Sequence, residues 1–232
     1  MGLLGRAVVA IWNDITPEGR DNFIEWHNRQ HIPERVAITG FRRGRRYAAE
    51  YGSPEYFTLY EADDAAVLAG AEYLERLNNP TEWTKEATSA FRNTLRGVCD
   101  TAFSQGCGDG GYMITLRFDA SEGRREKLST HLVAELTKAG AMKGVSGVHL
   151  CIADQAVSGI ETSERKGRRV DVPNWVVMIE GSTRGDVDTG GETLSDETLR
   201  QEGMSGDMQR GLYRLEFSLV DVNGSSASKN VA

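Results

Sequence analysis

Cysteine is scarce: Cys99, Cys107 and Cys151 are the only three in a chain of 232 residues. An odd number cannot all pair, and their spacings match no thiolate metal pattern, which argues against a disulfide-stapled domain and a zinc ribbon. They are expected to be small buried hydrophobes in a reducing cytoplasm. Long apolar runs are missing too. No stretch approaches the roughly 20 residues that cross a bilayer. Residues 1–6 (MGLLGR) lack the pattern of a signal peptide, so a cytoplasmic protein without a membrane partner is expected. Basic residues are also in short supply. Asp and Glu number 34 against 27 Lys and Arg, a net charge of −7, the opposite of a nucleic-acid-binding footprint. Only four histidines are present.

What the chain does contain is repetition. EGRDNFIEWH at 18–27 is echoed by EGRREKLSTH at 122–131, and the same offset carries Gly40 onto Gly144. PEYFTLYE at 54–61 resembles PNWVVMIE at 173–180, and RGVCDTAFS at 96–104 resembles RGLYRLEFS at 210–218. Four weak matches in one order point to an internal duplication.

The element pattern agrees. Residues 7–12 (AVVAIW) form a short apolar run, as in a strand buried on both faces. A helix is predicted over 21–37, with a kink or an end at Pro33, which lacks a backbone donor. Strands are predicted at 40–50 and 56–61, a helix at 64–77, and a second helix from an Asn79 cap to about residue 95. A strand at 98–103 closes the unit. This β-α-β-β-α-β order is the ferredoxin-like unit. Residues 106–111 (GCGDGG) read as a flexible linker. The second unit, 112–222, has strands at 112–118, 147–153 and 175–180, a helix at 123–141, an exposed loop at 157–172 and a short or irregular helical region at 186–208. Residues 223–232 read as a flexible tail. The expected class is α+β, with tandem ferredoxin-like units (1–105 and 112–222) packed sheet to sheet as an intramolecular α/β barrel.

The segment WHNRQHIPERVAITGF at 26–41 resembles the EthD-type branch of the dimeric α/β-barrel superfamily. That branch's pattern of a His ending the first helix, a His-x-Pro step and a Gly falls on His27, His31, Pro33 and Gly40. The resemblance covers the first half well and the second half by topology only. It implies a small-molecule protein of the kind that includes cofactor-free monooxygenases, isomerases, cyclases, dehydratases and haem enzymes. Such proteins usually pair two chains. Here the pair is expected to be fused, with a further homodimer possible.

The two halves are unequal. Glu135 stands where His31 has its counterpart and Thr130 where Trp26 has its own, so the working site is expected in the first unit. His27 and His31, four residues apart, share a helix face, and a pair of imidazoles can move protons both ways near neutral pH. His31 is the expected principal acid/base, with His27 assisting. His131 matches His27 in the second copy, which suggests a structural share for that position. Glu34 extends the set to a possible metal site, His27, His31 and Glu34, although the spacing is not that of a zinc-protease helix.

Arg42, Arg43, Arg45 and Arg46 lie along the second strand, so that Arg43 and Arg45 share a face with Tyr47. They suit either recognition of a carboxylate or phenolate or protection of a sheet edge. Trp12, Asn13, Tyr47, Tyr60 and Trp83 are candidate pocket walls or ordinary core. Tyr47, Tyr60 or Arg45 is expected to hold a substrate oxygen.

The expected function is cofactor-free acid/base catalysis on an aromatic or polyketide-like molecule, as an isomerase, dehydratase (lyase) or cyclase. A cofactor-free monooxygenase acting on a phenol is one alternative, and a non-catalytic ligand-binding protein of a degradative pathway is another. Haem binding is a further option.

Overall fold

The protein is described from a computed structural model, which covers residues 2–165 and 171–221. The expected tail at 223–232 and part of the basic run in the 157–172 loop lie outside the described residues. Eight strands are seen: β1 (Ala7–Ile15), β2 (Phe41–Tyr51), β3 (Tyr56–Ala62), β4 (Phe91–Gly106), β5 (Tyr112–Ala120), β6 (Val145–Ala153), β7 (Trp175–Gly181) and β8 (Met204–Val220). They close one barrel in the order β1-β3-β2-β8-β5-β7-β6-β4, with every neighbouring pair antiparallel. Closure leaves no free sheet edge. The arginine-rich strand β2 is therefore not an edge: it pairs with β3 on one side and β8 on the other.

Each half of the chain supplies four adjacent strands, β4-β1-β3-β2 and β8-β5-β7-β6, and the seams are β2–β8 and β4–β6. Gly40 and Gly144, aligned by the repeat, precede β2 and β6 with φ of 91° and 79°. A side chain at Gly40 would also press into Val67, so glycine suits this turn twice over.

Helices lie outside the barrel. The first connection is α1 (Arg20–Trp26), a five-residue π turn (His27–His31) and α2 (Ile32–Val36). Pro33 accounts for the irregularity. Its missing N–H and its ring disfavour a regular helix through this point, and the Ile32 N–H instead reaches back five residues to the His27 carbonyl. The predicted kink is thus a π turn.

The helix predicted at 64–77 is broken into α3 (Ala65–Leu68) and α4 (Ala71–Asn78), with Asp64 capping the first. Thr81, not Asn79, caps α5 (Glu82–Ser89). That helix ends before Phe91, where β4 begins, well short of the expected residue 95. In the second half α6 (Arg125–Gly140) is followed by α7 (Gln155–Ser158), α8 (Arg184–Glu192) and α9 (Asp196–Glu202). Among the described residues no helix is long and apolar enough to cross a membrane.

Strands β3 and β7 are buried at every position because both faces are covered. Inside the barrel, Ala10, Trp12, Tyr47, Phe57, Met113, Val176 and Tyr213 form one apolar cluster drawn from both halves. Part of the interior is ionic. Arg43 and Arg45 meet Glu61 at 2.7 and 3.0 Å, and Arg45 meets Glu180 at 2.8 Å. Glu180 in turn faces His149 Nε2 at 3.1 Å. Burial alone would raise the Glu180 carboxyl, but the Arg45 charge and the His149 hydrogen bond prevail and bring it down to about 2. Residues 107–111 close over this network. Asp109 pairs with Arg43, and the Gly110 N–H donates to Glu180 at 3.3 Å. The expected flexible linker is therefore anchored at both positions.

Candidate active site

Strand pleating sends Trp12 into the barrel and its neighbours Ile11 and Asn13 outward. The outward residues of β1, β3 and β4 form the floor of a cavity of about 40 Å³ beneath α1, the π turn, α2 and α4. Asn13, Thr58, Tyr60 and Arg96 come from the sheet; Trp26, His27, His31 and Arg35 come from the first connection; Tyr73 and Leu77 come from α4. Glu164 arrives from the connection between β6 and β7, far away in sequence, and pairs with Arg35 at 2.6 Å.

The π turn holds the two imidazoles nearly parallel, 8° apart with centroids at 5.4 Å. Trp26 packs against both, at 5.0 Å from His27 and 4.1 Å from His31, and its indole N–H is held by Thr84 at 3.2 Å. Both histidines are buried. The His27 pKa lies well below 6.5, first because burial disfavours the cation and then because Arg46 and Arg35 are positive. His27 is therefore a neutral imidazole near pH 7, a proton acceptor at rest. Tyr60 is the reverse. Burial raises its phenol, so it stays protonated and can donate. Asn13 Nδ2, Thr58 Oγ1, Tyr60 OH and His27 Nδ1 are buried with no partner. Unpaired buried polar atoms are costly and uncommon, and here they border one cavity.

The depressed His27 pKa has a consequence for stability. The unfolded chain takes up this proton near 6.5 and the folded chain only at lower pH. The contribution is therefore whole above about pH 6.5 and is lost as the pH falls towards the folded value, by up to about 1.4 kcal/mol per pH unit. A His27→Gln variant should show a shallower loss of stability than the parent between about pH 7 and pH 5. Denaturant unfolding at both values checks this, and parallel slopes would contradict it.

His27, His31, Asn13 and Tyr60 were expected at the site and all border the cavity. Four other expectations are corrected. Trp12 stacks on Phe57 at 4.7 Å inside the barrel. Tyr47 lies in the same interior cluster. Arg45 is fully buried there between Glu61 and Glu180. Trp83 does not border the cavity; it packs against the Phe23 and Trp26 cluster and donates to Asn22 at 2.7 Å. The metal alternative of His27, His31 and Glu34 also fails: Glu34 accepts from Gln30 at 2.8 Å, and no metal-holding cluster occurs among the described residues.

Sequence reasoning missed Thr58, Arg35, Tyr73, Arg96 and Glu164. Thr58 was within reach, two residues from Tyr60 on one strand face, and so was Arg35, one turn beyond His31. Arg96 was hidden because its segment read as the end of a helix. The other two histidines lie elsewhere. His149 is inside the barrel and His131 is half-buried on α6. The space between α6 and its sheet is filled by Leu128, Leu132 and Leu136 against Leu116, Leu150 and Val177.

No protein-family model matches the sequence, and no curated protein does. Solved structures do match. An anthrone oxidase-like protein superposes with a TM-score of 0.63 at 10% identity, covering 96% of this chain and 97% of that one. A candidate monooxygenase from Fusobacterium nucleatum gives 0.62 at 8% identity, over 94% and 96%. A haem-binding protein from Thermus thermophilus gives 0.52 at 13% identity, over 90% and 91%. At such identities the likeness is one of architecture, and the chain shares the α+β barrel fold of these proteins.

Proposed function

We propose that this protein is an enzyme that removes a proton from carbon or oxygen of a small organic molecule, with the His31–His27 pair as the acid/base and no cofactor. The carrying observation is the pair itself: two stacked buried imidazoles, one held neutral, at a cavity whose unpaired atoms include hydrogen-bond donors. Asn13, Thr58 and Tyr60 are placed to donate to the negative oxygen that develops on deprotonation, a role the sequence had offered to Tyr60, Tyr47 or Arg45. His31 returns the proton at a second position in an isomerisation, or delivers it to a departing hydroxyl in a dehydration. Both outcomes are redox-neutral.

The second reading is a cofactor-free monooxygenase. It is favoured by the fold shared with a candidate monooxygenase and an anthrone oxidase-like protein. In this case the same carbanion gives its electrons to dioxygen: a CH₂ group and O₂ become a carbonyl and water. The cavity of about 40 Å³ is far below the roughly 300–1,000 Å³ of drug-sized ligand sites. It takes a small ligand or the reactive end of a larger one, and it does not suit a porphyrin, so no step is assigned to haem.

The barrel is best understood as two fused EthD-type ferredoxin-like units, 1–105 and 112–222, the second having lost its site to leucine packing. The cavity's lining, drawn from the first half except for Glu164, the matched glycines and the paired strand orders support this.

The test is to incubate the protein with a panel of small carbon acids and phenols in D₂O. Proton exchange is followed by NMR and dioxygen by electrode. Exchange without oxygen uptake supports the first reading, and uptake supports the second. Neither, with ligand binding intact in the His27, His31 double alanine variant, would leave a binding protein.

A further inference from the structure

Two arginines border the cavity, and their situations differ. Arg35 is neutralised by Glu164. Arg96 is 7% exposed, and among the described residues no carboxylate lies within ion-pair distance of it. Its side-chain hydrogen bond goes from Nη2 to the Tyr73 hydroxyl at 3.0 Å. A buried guanidinium without a counter-ion is costly to keep, and the cost is recovered when an anion binds. The fork of N–H groups left over suits the two oxygens of a carboxylate.

The rest of the cavity is consistent with this. Asn13 Nδ2, Thr58 Oγ1 and Tyr60 OH are unpaired, and the single carboxylate on the lining, Glu164, is occupied by Arg35. Arg45, the arginine that the sequence suggested for this task, is engaged inside the barrel.

We infer that Arg96, steadied by Tyr73, is the anion-binding residue of this site, and that the substrate is a carboxylic acid bound as its carboxylate rather than a neutral phenol. This rests on the reading of the cavity as the active site. It adds the substrate class and separates two tasks: Arg96 holds the carboxylate, while Asn13, Thr58 and Tyr60 hold the oxygen that becomes negative.

Isosteric pairs test it by calorimetry on the full chain: acetate against acetamide, and benzoate against benzamide. The carboxylates should bind about 10–100-fold more tightly, the worth of a charge-assisted hydrogen bond. Arg96→Gln should abolish the preference, and Arg96→Lys should restore part of it. Tyr73→Phe keeps the cation and loosens its position, so a weakened preference is expected there even where the glutamine variant folds poorly. Equal affinities in the parent protein would overturn the inference, as would an unchanged preference in Arg96→Gln. The readout is binding, so it stands apart from catalysis. A carboxylate preference without proton exchange would refute the proton-transfer reading alone, and exchange without a preference would refute this inference alone.

Discussion

Replacing His31 with alanine is expected to lower turnover by about 10²–10⁴-fold, the usual contribution of a positioned acid/base, while the barrel stays folded. His31 ends the π turn, packs on Trp26 at 4.1 Å and approaches the edge of Tyr60, with ring centroids 6.2 Å apart. It therefore stands between the second imidazole and the unpaired polar groups of the sheet. Its loss removes the proposed proton carrier and leaves the apolar cores in place.

His27→Ala is expected to cost less turnover and more stability. His27 is packed against Phe23 at 4.5 Å as well as against Trp26, and its place matches His131 in the other half. Proton exchange measured by NMR, with denaturant unfolding alongside, separates the two effects. A double variant within a few-fold of the parent would withdraw the catalytic assignment and move weight to ligand binding.

Replacing Glu61 with glutamine is expected to cost about 3–5 kcal/mol of stability, as when one member of a buried ion network is removed. Glu61 is fully buried. It takes the Arg43 Nε and Nη2 groups at 2.7 and 2.9 Å, Arg45 at 3.0 Å and the Leu4 N–H at 2.7 Å. Glutamine preserves the shape but removes the charge that two buried guanidinium groups share. Glu180 and Asp109 would then have to balance both. Urea unfolding of the variant measures the cost. A loss below about 1 kcal/mol, the range of surface pairs, would show that water or the remaining carboxylates compensate. Breaking the exposed Arg6–Asp64 pair at 3.5 Å from its arginine side, by Arg6→Gln, is the natural control and should be silent.

Much of the architecture was legible in the residues. The run that became most of β1, residues 7–12, is apolar at consecutive positions, as suits a sheet covered on both faces. The repeat offset aligned Gly40 with Gly144, which both precede a strand with positive φ, and Pro33 marked where the first helix would depart from regularity. His27 and His31 were legible as a pair because four-residue spacing on a helix needs no tertiary contact to define a face.

Strand faces were another matter. Alternation correctly put Arg43, Arg45 and Tyr47 on one side. It could not say which side looked into the barrel, because both sides are buried and the hydrophobic pattern then carries no sign. That ambiguity sent Trp12, Tyr47 and Arg45 to the wrong cavity wall. Arg96 was lost to a misplaced helix end, and Glu164 to the long separation between it and Arg35. The order of strands and helices and the histidine pair were set by local geometry and periodicity, which the residues carry without tertiary contacts. Only the closing of the barrel decided which arginine is neutralised and which is left facing the cavity, because ion pairing is settled by neighbours that the chain brings together from distant strands.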